Sequence, residues 1–314
     1  MRYCLLILLG LTSCALLAQP AVSGDSLDKA RLARTVRLSE VIIRSRLNVA
    51  RFIEQVKTDT SFYKAFKNLR VLNFTSSNDI MMRDKQGRVQ ARLLSKTRQT
   101  RTGNCRTMEV LDEKATGSFY DRKGRYNYYT AELYASLFFT QGKVCGETNS
   151  VRSRKFSTKG LSGVAKHKEQ LKMLLFKPGQ RIQGVPLLGD KMDIFDRERS
   201  ALYDYSIDYS EHRGEPCYLF SVSAKKGLTA GQRDQLVLDK MDTWFSIRTM
   251  EVLKRSYTMS YSAGVYDFNV SMEAEMARYG QWVVPVLLRY VGDWDLVFKK
   301  RERGLFTATI YDVH

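Results

Sequence analysis

Apolar and polar residues alternate with period two through most of residues 202–311. The clearest stretch sets Tyr266, Phe268, Val270, Met272, Ala274 and Met276 against Asp267, Asn269, Ser271, Glu273 and Glu275. Side chains on a strand point alternately to opposite faces, so this segment writes one apolar face and one wet face. Turn residues punctuate it at Gly214, at 227–231, at Ser262-Ala263-Gly264, and at Gly280, Gly292-Asp293 and Gly304. The pattern predicts a run of antiparallel hairpins. A one-sided sheet of this kind must cover something apolar, whether helices, a ligand or a membrane.

Upstream the period changes. Leu38 to Ile43 reads as a short β-like piece. Val49, Phe52, Ile53 and Val56, then Phe62, Ala65, Phe66 and Leu69, recur at helical spacing and put one stripe inward. Residues 71–110 alternate again around a turn at Asp84-Lys85-Gln86-Gly87. A second turn, Asp121-Arg122-Lys123-Gly124, precedes a short helix predicted over 129–139. A third helix is predicted over about 161–176, stopping at Lys177-Pro178-Gly179. No repeat, low-complexity tract or Pro-rich linker divides the chain. The order predicts one α+β domain over 46–314, after a polar segment at 19–45.

The first 18 residues change the picture of compartment. Arg2 is a short positive region, and residues 3–18 are apolar apart from Thr12 and Ser13. That length fits a secretory signal and falls short of the roughly 20 apolar residues of a spanning helix. Two processing routes are open. Ala18-Gln19 offers a small residue for signal peptidase. Leu11-Thr12-Ser13-Cys14 resembles a bacterial lipobox that would make Cys14 a lipidated first residue. The apolar run continues past Cys14 to Ala18, which favours cleavage at Gln19. Export to the periplasm, or to the periplasmic face of an outer membrane, is expected on either route.

The formal charge is +18. It concentrates at Arg83, Lys85, Arg88, Arg92, Lys96, Arg98, Arg101 and Arg106, and again between Arg152 and Lys172. An exported protein meets anionic phospholipid or lipopolysaccharide and not nucleic acid, and net charge gives long-range attraction to such surfaces. A solvated, self-repelling surface explains the same charge. Past the leader stand Cys105, Cys145 and Cys217, which permit one disulfide in an oxidising compartment and leave one thiol over.

Motifs for chemistry are missing. The chain has no Gly-x-Ser-x-Gly, His-Glu-x-x-His, phosphate loop or Gly-x-Gly-x-x-Gly. Its three histidines, His167, His212 and His314, lie in no recognisable catalytic setting. Asp190, Asp193 and Asp196 lack the spacing of a calcium loop and read as a turn with capping acids. Asp204 and Asp208 share a strand face and read as outward, solvated acids. No enzyme activity, cofactor or metal is expected.

The order of helix, strands, two helices and a long meander resembles the outer-membrane lipoprotein carrier family (LolA-like, or lipoprotein-sorting-like). The local resemblance lies in Gly214-Glu215-Pro216-Cys217-Tyr218-Leu219-Phe220-Ser221-Val222 and in the strand and turn from Thr243 to Leu253. Ser246 stands there where that family usually has Asp. The resemblance implies an antiparallel curved half-barrel sheet wrapped around a few short helices, in an envelope protein that handles lipid or lipoprotein. On that reading Tyr257, Met259, Tyr266, Phe268, Val270 and Met272 are the candidate walls of a cavity for an acyl chain or other apolar ligand. Aromatic and methionine side chains suit such a wall, and they suit an ordinary filled core equally. The second reading is an accessory protein that binds another envelope protein with no small ligand.

Overall fold

The computed structural model describes residues 31–151, 172–182, 188–262, 266–296 and 300–314. The leader with Cys14, His167 and the first part of the helix expected at 161–176 lie outside the described residues. The architecture is α+β, a large open curved sheet, almost wholly antiparallel, with a few short helices. Its twelve strands are β1 (Arg37–Leu38), β2 (Phe74–Arg83), β3 (Val89–Thr102), β4 (Cys105–Gly117), β5 (Val144–Cys145), β6 (Tyr203–His212), β7 (Glu215–Ala224), β8 (Leu238–Ser246), β9 (Val252–Ser262), β10 (Tyr266–Tyr279), β11 (Trp282–Leu296) and β12 (Glu302–Tyr311). Across the sheet they run β1-β6-β7-β8-β9-β10-β11-β12-β2-β3-β4-β5. Strands β6 to β12 are therefore the expected meander, in chain order. The earlier hairpin joins it through β12 and β2, where Ile310 faces Ser76 and Phe306 faces Ile80.

The inner face is covered by α1 (Glu40–Arg44), α2 (Val49–Thr58), α3 (Ser61–Asn68), α4 (Tyr129–Phe138) and the helical residues 172–176. The Asn48 side chain caps α2 by accepting from the Arg51 amide, and α2 buries Phe52, Ile53 and Val56. The Phe52 ring meets Tyr218, Phe220 and Phe245 edge-on, with centroids 5.6, 5.9 and 5.7 Å away. Burying one such aromatic contributes about 1.5–3 kcal/mol. Leu32, Val36 and Ile42 enter the same core as the sheet.

Two local expectations are corrected. The piece at 38–43 is a strand only as far as Leu38. The Ser39 amide donates to the Ile207 carbonyl, and the Ile43 amide then donates back to the Ser39 carbonyl, starting α1. Ile42 turns inward with 1% exposure, while Val41 and Ile43 face solvent. The second correction concerns Trp282, Val284, Val286, Leu288 and Tyr290, which alternation would put on one face. The register slips between Glu275 and Met276, so that Glu275 faces Leu287 and Met276 faces Pro285, leaving Val286 as the extra residue. A bulge shifts the faces by one residue. Leu288 and Tyr290 enter the main core, whereas Val284 and Val286, with Trp282 against them, join a second cluster with Leu69, Leu72, Phe74, Ile310 and Val313.

Cys105 and Cys145 form the disulfide, joining the paired ends of β4 and β5 across 40 residues of chain. Cys217 is the free thiol, fully buried, and burial pushes its pKa up to about 11. That suits a small core hydrophobe and not a nucleophile.

Lys254 and Arg255 interrupt the alternation of β9 with two charges, and the structure separates them. Lys254 lies outward between Glu273 and Glu275, at 2.7 and 3.1 Å. Arg255 points inward among the apolar residues, 8% exposed, 3.6 Å from the Asp59 carboxylate, which is itself 9% exposed. Its Nε donates to Thr243 Oγ1 at 3.1 Å, and its guanidinium lies 4.5 Å from the centre of the Phe62 ring. Burial lowers the Arg255 pKa and Asp59 opposes the shift. Asp59 also accepts from the Ser61 amide at 2.8 Å, and Ser61 Oγ accepts from the Val252 amide. The corner between α2 and α3 is thus fastened to β9 by a buried charge. Asp59→Asn keeps a cap for Ser61 but strands the guanidinium, and should cost about 3–5 kcal/mol in urea denaturation. Asp59→Asn combined with Arg255→Met should recover most of that loss; a double variant no more stable than the single one would show that the pair does not act as described.

Candidate functional site

The site is the space between the inner face of the sheet and its helical cover. α4 forms the cover over β12 and its neighbours. Tyr134 and Phe138 on α4 both stack on Phe306, at 5.3 Å each, and Tyr134 meets Tyr290 edge-on at 4.8 Å. Phe66 of α3 contacts Phe176 at 4.8 Å, which closes the aromatic layer between α3 and residues 172–176. Helix α4 has no capping side chain of its own at Tyr128. Glu302, from the start of β12, supplies one. Its carboxylate accepts from the Tyr129 amide (2.9 Å), the Thr130 amide (2.8 Å) and Thr130 Oγ1 (2.6 Å). A carboxylate at a helix N-terminus satisfies the free amides and complements the helix dipole.

Of the expected wall residues, Tyr257, Met259, Phe268, Val270 and Met272 are each 2% exposed and belong to one core. Tyr266 begins β10 opposite Leu296. Three of them, Tyr257, Met259 and Val270, line a small cavity with Leu133, Tyr134 and Leu137 of α4, Leu174, Leu175, Tyr290 and Trp294. Its interior holds about 30 Å³ of room for water centres. Phe268 stacks on Trp294 at 4.8 Å. Tyr257 Oη donates to the Leu175 carbonyl at 3.1 Å, tying the helical cover to β9. The Tyr134 hydroxyl is buried with no hydrogen-bond partner among the described residues.

A second cavity lies on the other side of Leu137, with about 50 Å³ of the same room. Phe66, Leu137, Phe138, Phe176 and Ile310 form its apolar side, and Ser76, Asn78 and Gln99 form a polar floor, with Arg70 and Arg106 also in its lining. Nothing in the alternation of residues 71–110 singles out this floor, because polar residues there occupy both faces of β2 and β3. Ser76, Asn78 and Gln99 are all buried, as are Ser95 and Thr97, which face Asn78 and Ser76 across the strand pair. Gln99 is fully engaged. Its amide donates to the Leu69 and Leu72 carbonyls and its oxygen accepts from Arg106 and Thr140. Arg70 and Arg106 share the Glu147 carboxylate at 2.8 and 2.5 Å, and these two guanidinium groups hold Glu147 low against the desolvation that would raise it.

The remaining candidates fall outside the site. His212 Nε2 lies 3.3 Å from the Met276 carbonyl, and burial lowers its pKa. Asp193 and Asp196 accept from the backbone amides of Phe195, Glu198 and Arg199 as turn acids. No cluster of three or more His, Cys, Asp or Glu fit to hold a metal occurs among the described residues. Part of the basic charge is locally matched: Arg88 pairs with Asp84 and Arg92 with Asp79.

No family model matches the chain, and no curated protein matches it. Among solved structures it is similar to a DUF1329 family protein from Desulfovibrio piger ATCC 29098, 11% identical over 82% of this chain and 92% of that one, with a TM-score of 0.25. It is also similar to a "putative outer membrane lipoprotein-sorting protein domain" from Vibrio parahaemolyticus, 9% identical over 81% and 92%, again at 0.25. The fold described here rests on strand order and register, and the chemistry of the site rests on its cavities.

Removing the Glu302 carboxylate tests how α4 is held. Glu302→Ala should cost about 1–2 kcal/mol and speed amide exchange in residues 129–138 above the rest of the molecule. Uniform exchange along the chain would show that the carboxylate does not hold the helix.

Proposed function

We propose that this protein is a non-enzymatic envelope protein that takes an apolar, lipid-like ligand between the inner face of its sheet and α4. The observation that supports this most directly is the pair of cavities that share Leu137 in their linings, on a cover helix whose N-terminus is held by a carboxylate from another strand. Both cavities are far below the roughly 300–1,000 Å³ of a ligand site. Uptake of an acyl chain therefore requires Leu137 and its neighbours to move outward so that the two spaces merge. Each methylene then buried contributes about 0.8 kcal/mol, enough for one chain to repay the displacement of α4. The leader-like first 18 residues support an exported location, and the absence of a catalytic motif supports binding without chemistry. Among the described residues no helix is long and apolar enough to cross a membrane.

Native mass spectrometry of the purified protein, with and without added monounsaturated fatty acid or monoacylglycerol, tests the reading. One bound lipid per chain is expected, with faster uptake of a fluorescent acyl probe in Glu302→Ala than in the wild type. A folded protein that carries no lipid and takes up no probe would leave the accessory-protein reading in its place.

A further inference from the structure

The polar floor is the least expected part of the inner face. Where β2 and β3 pair, Ser76 faces Thr97 and Asn78 faces Ser95. All four are buried, Ser76 and Asn78 between the apolar residues Phe74 and Ile80 along β2. A row of valines would fill the same positions without desolvating any polar group. Ser76 and Thr97 satisfy one another through a 2.8 Å hydrogen bond. Asn78 is different. One atom of its amide sits among the hydroxyls of Ser76, Ser95 and Thr97 at 3.3, 3.4 and 3.5 Å, long contacts at the edge of hydrogen bonding. The other amide atom has no hydrogen-bond partner among the described residues, and Asn78 is 4% exposed and lines the cavity. This holds whichever way the amide is turned. Gln99, two residues beyond Thr97 on the same strand face, shows the contrast, because all its hydrogen-bonding capacity is used within the protein.

We propose that the ligand is an amphiphile bound head inward, with a neutral head bearing hydroxyl or ester groups on Asn78 and Ser76 and its tail running past Leu137 toward Tyr257, Met259 and Val270. The proposal rests on the lipid-binding reading above and adds the class and the orientation of the ligand. The floor offers hydroxyls, which both donate and accept, and an amide, which can do either. Such a set matches a glycerol or sugar-like head. The cations lining this cavity are already engaged, Arg70 and Arg106 by Glu147 and Lys67 by the Ser150 carbonyl, and an anionic head would have to displace these partners. The tail end is apolar throughout apart from the phenol and indole groups of Tyr134, Tyr257, Tyr290 and Trp294. The two cavities thus differ in chemistry along one line beneath α4, polar at β2–β3 and apolar at β9–β10.

The test measures three probes on the full chain by fluorescence displacement and native mass spectrometry. They are mono-oleoylglycerol, the headless neutral probe diphenylhexatriene, and oleoyl lysophosphatidate. Wild type should bind mono-oleoylglycerol more tightly than lysophosphatidate. Asn78→Leu should weaken mono-oleoylglycerol about tenfold or more while leaving diphenylhexatriene within about twofold. Ser76→Ala, a milder change at the same floor, should act in the same direction if Asn78→Leu does not fold. Equal loss of both neutral probes, no change in mono-oleoylglycerol, or preference for the phosphate head would each overturn the inward orientation while leaving lipid binding intact. A wild type that binds none of the three would remove the lipid-binding reading itself, and this inference with it.

Discussion

A one-sided sheet twelve strands wide cannot stand in water with its inner face bare, and the need to cover that face governs everything else in this protein. Strands β6 to β12 follow one another in chain order, and the connection between β7 and β8 adds Leu236 and Val237 to the core beside a single turn of helix at Ala230–Arg233, none of which is buried. The rest of the cover comes from earlier in the chain. α2 and α3 lie over the middle of the meander, α4 over its junction with β2, and residues 172–176 between them. Each piece is short, so packing alone gives it few contacts, and each is fastened by a polar interaction reaching across to the sheet. Asp59 meets Arg255, Glu302 holds the start of α4, and Tyr257 holds the Leu175 carbonyl.

These fastenings differ in cost. The Asp59–Arg255 pair desolvates two ions, and its attraction only partly offsets that cost; replacement by apolar residues could be neutral or better. Its effect is positional, since a buried charge accepts few alternative partners. The Glu302 carboxylate is only partly buried and works on amides that would otherwise be left open at the end of a helix. The first fixes a corner that has no reason to move. The second fixes one end of the helix that lines both cavities.

Much of this was legible in the sequence where one face was apolar and the other wet. Tyr257, Met259 and Tyr261, and Phe268, Val270 and Met272, fall on the inner face as their spacing requires. The helices at Val49–Thr58 and Ser61–Asn68 follow from three- and four-residue spacing. Pattern reading failed where its period was broken by one residue, as at Val286, because a bulge leaves composition unchanged while exchanging faces. It failed at 38–43, where one buried Ile42 between two exposed apolar residues fits either period. It was also blind to the polar floor, since a serine or asparagine facing inward looks the same in sequence as one facing water. Arg255 sits inward at the position its spacing from Tyr257 and Met259 requires, although it is charged.

The disulfide gives the cover a mechanical character. Cys105 starts β4 and Cys145 follows α4, so the bond closes a covalent ring that contains both the strand and the helix. β4 is immobilised along its length by pairing with β3, and Glu302 pins the other end of α4. The helix is therefore a strap fixed at both ends and not a flap hung from one. A strap can bow or roll about its own axis, but it cannot swing clear of the sheet. Any enlargement of the space beneath α4 must therefore come from bowing or rolling of the helix between its two attachments.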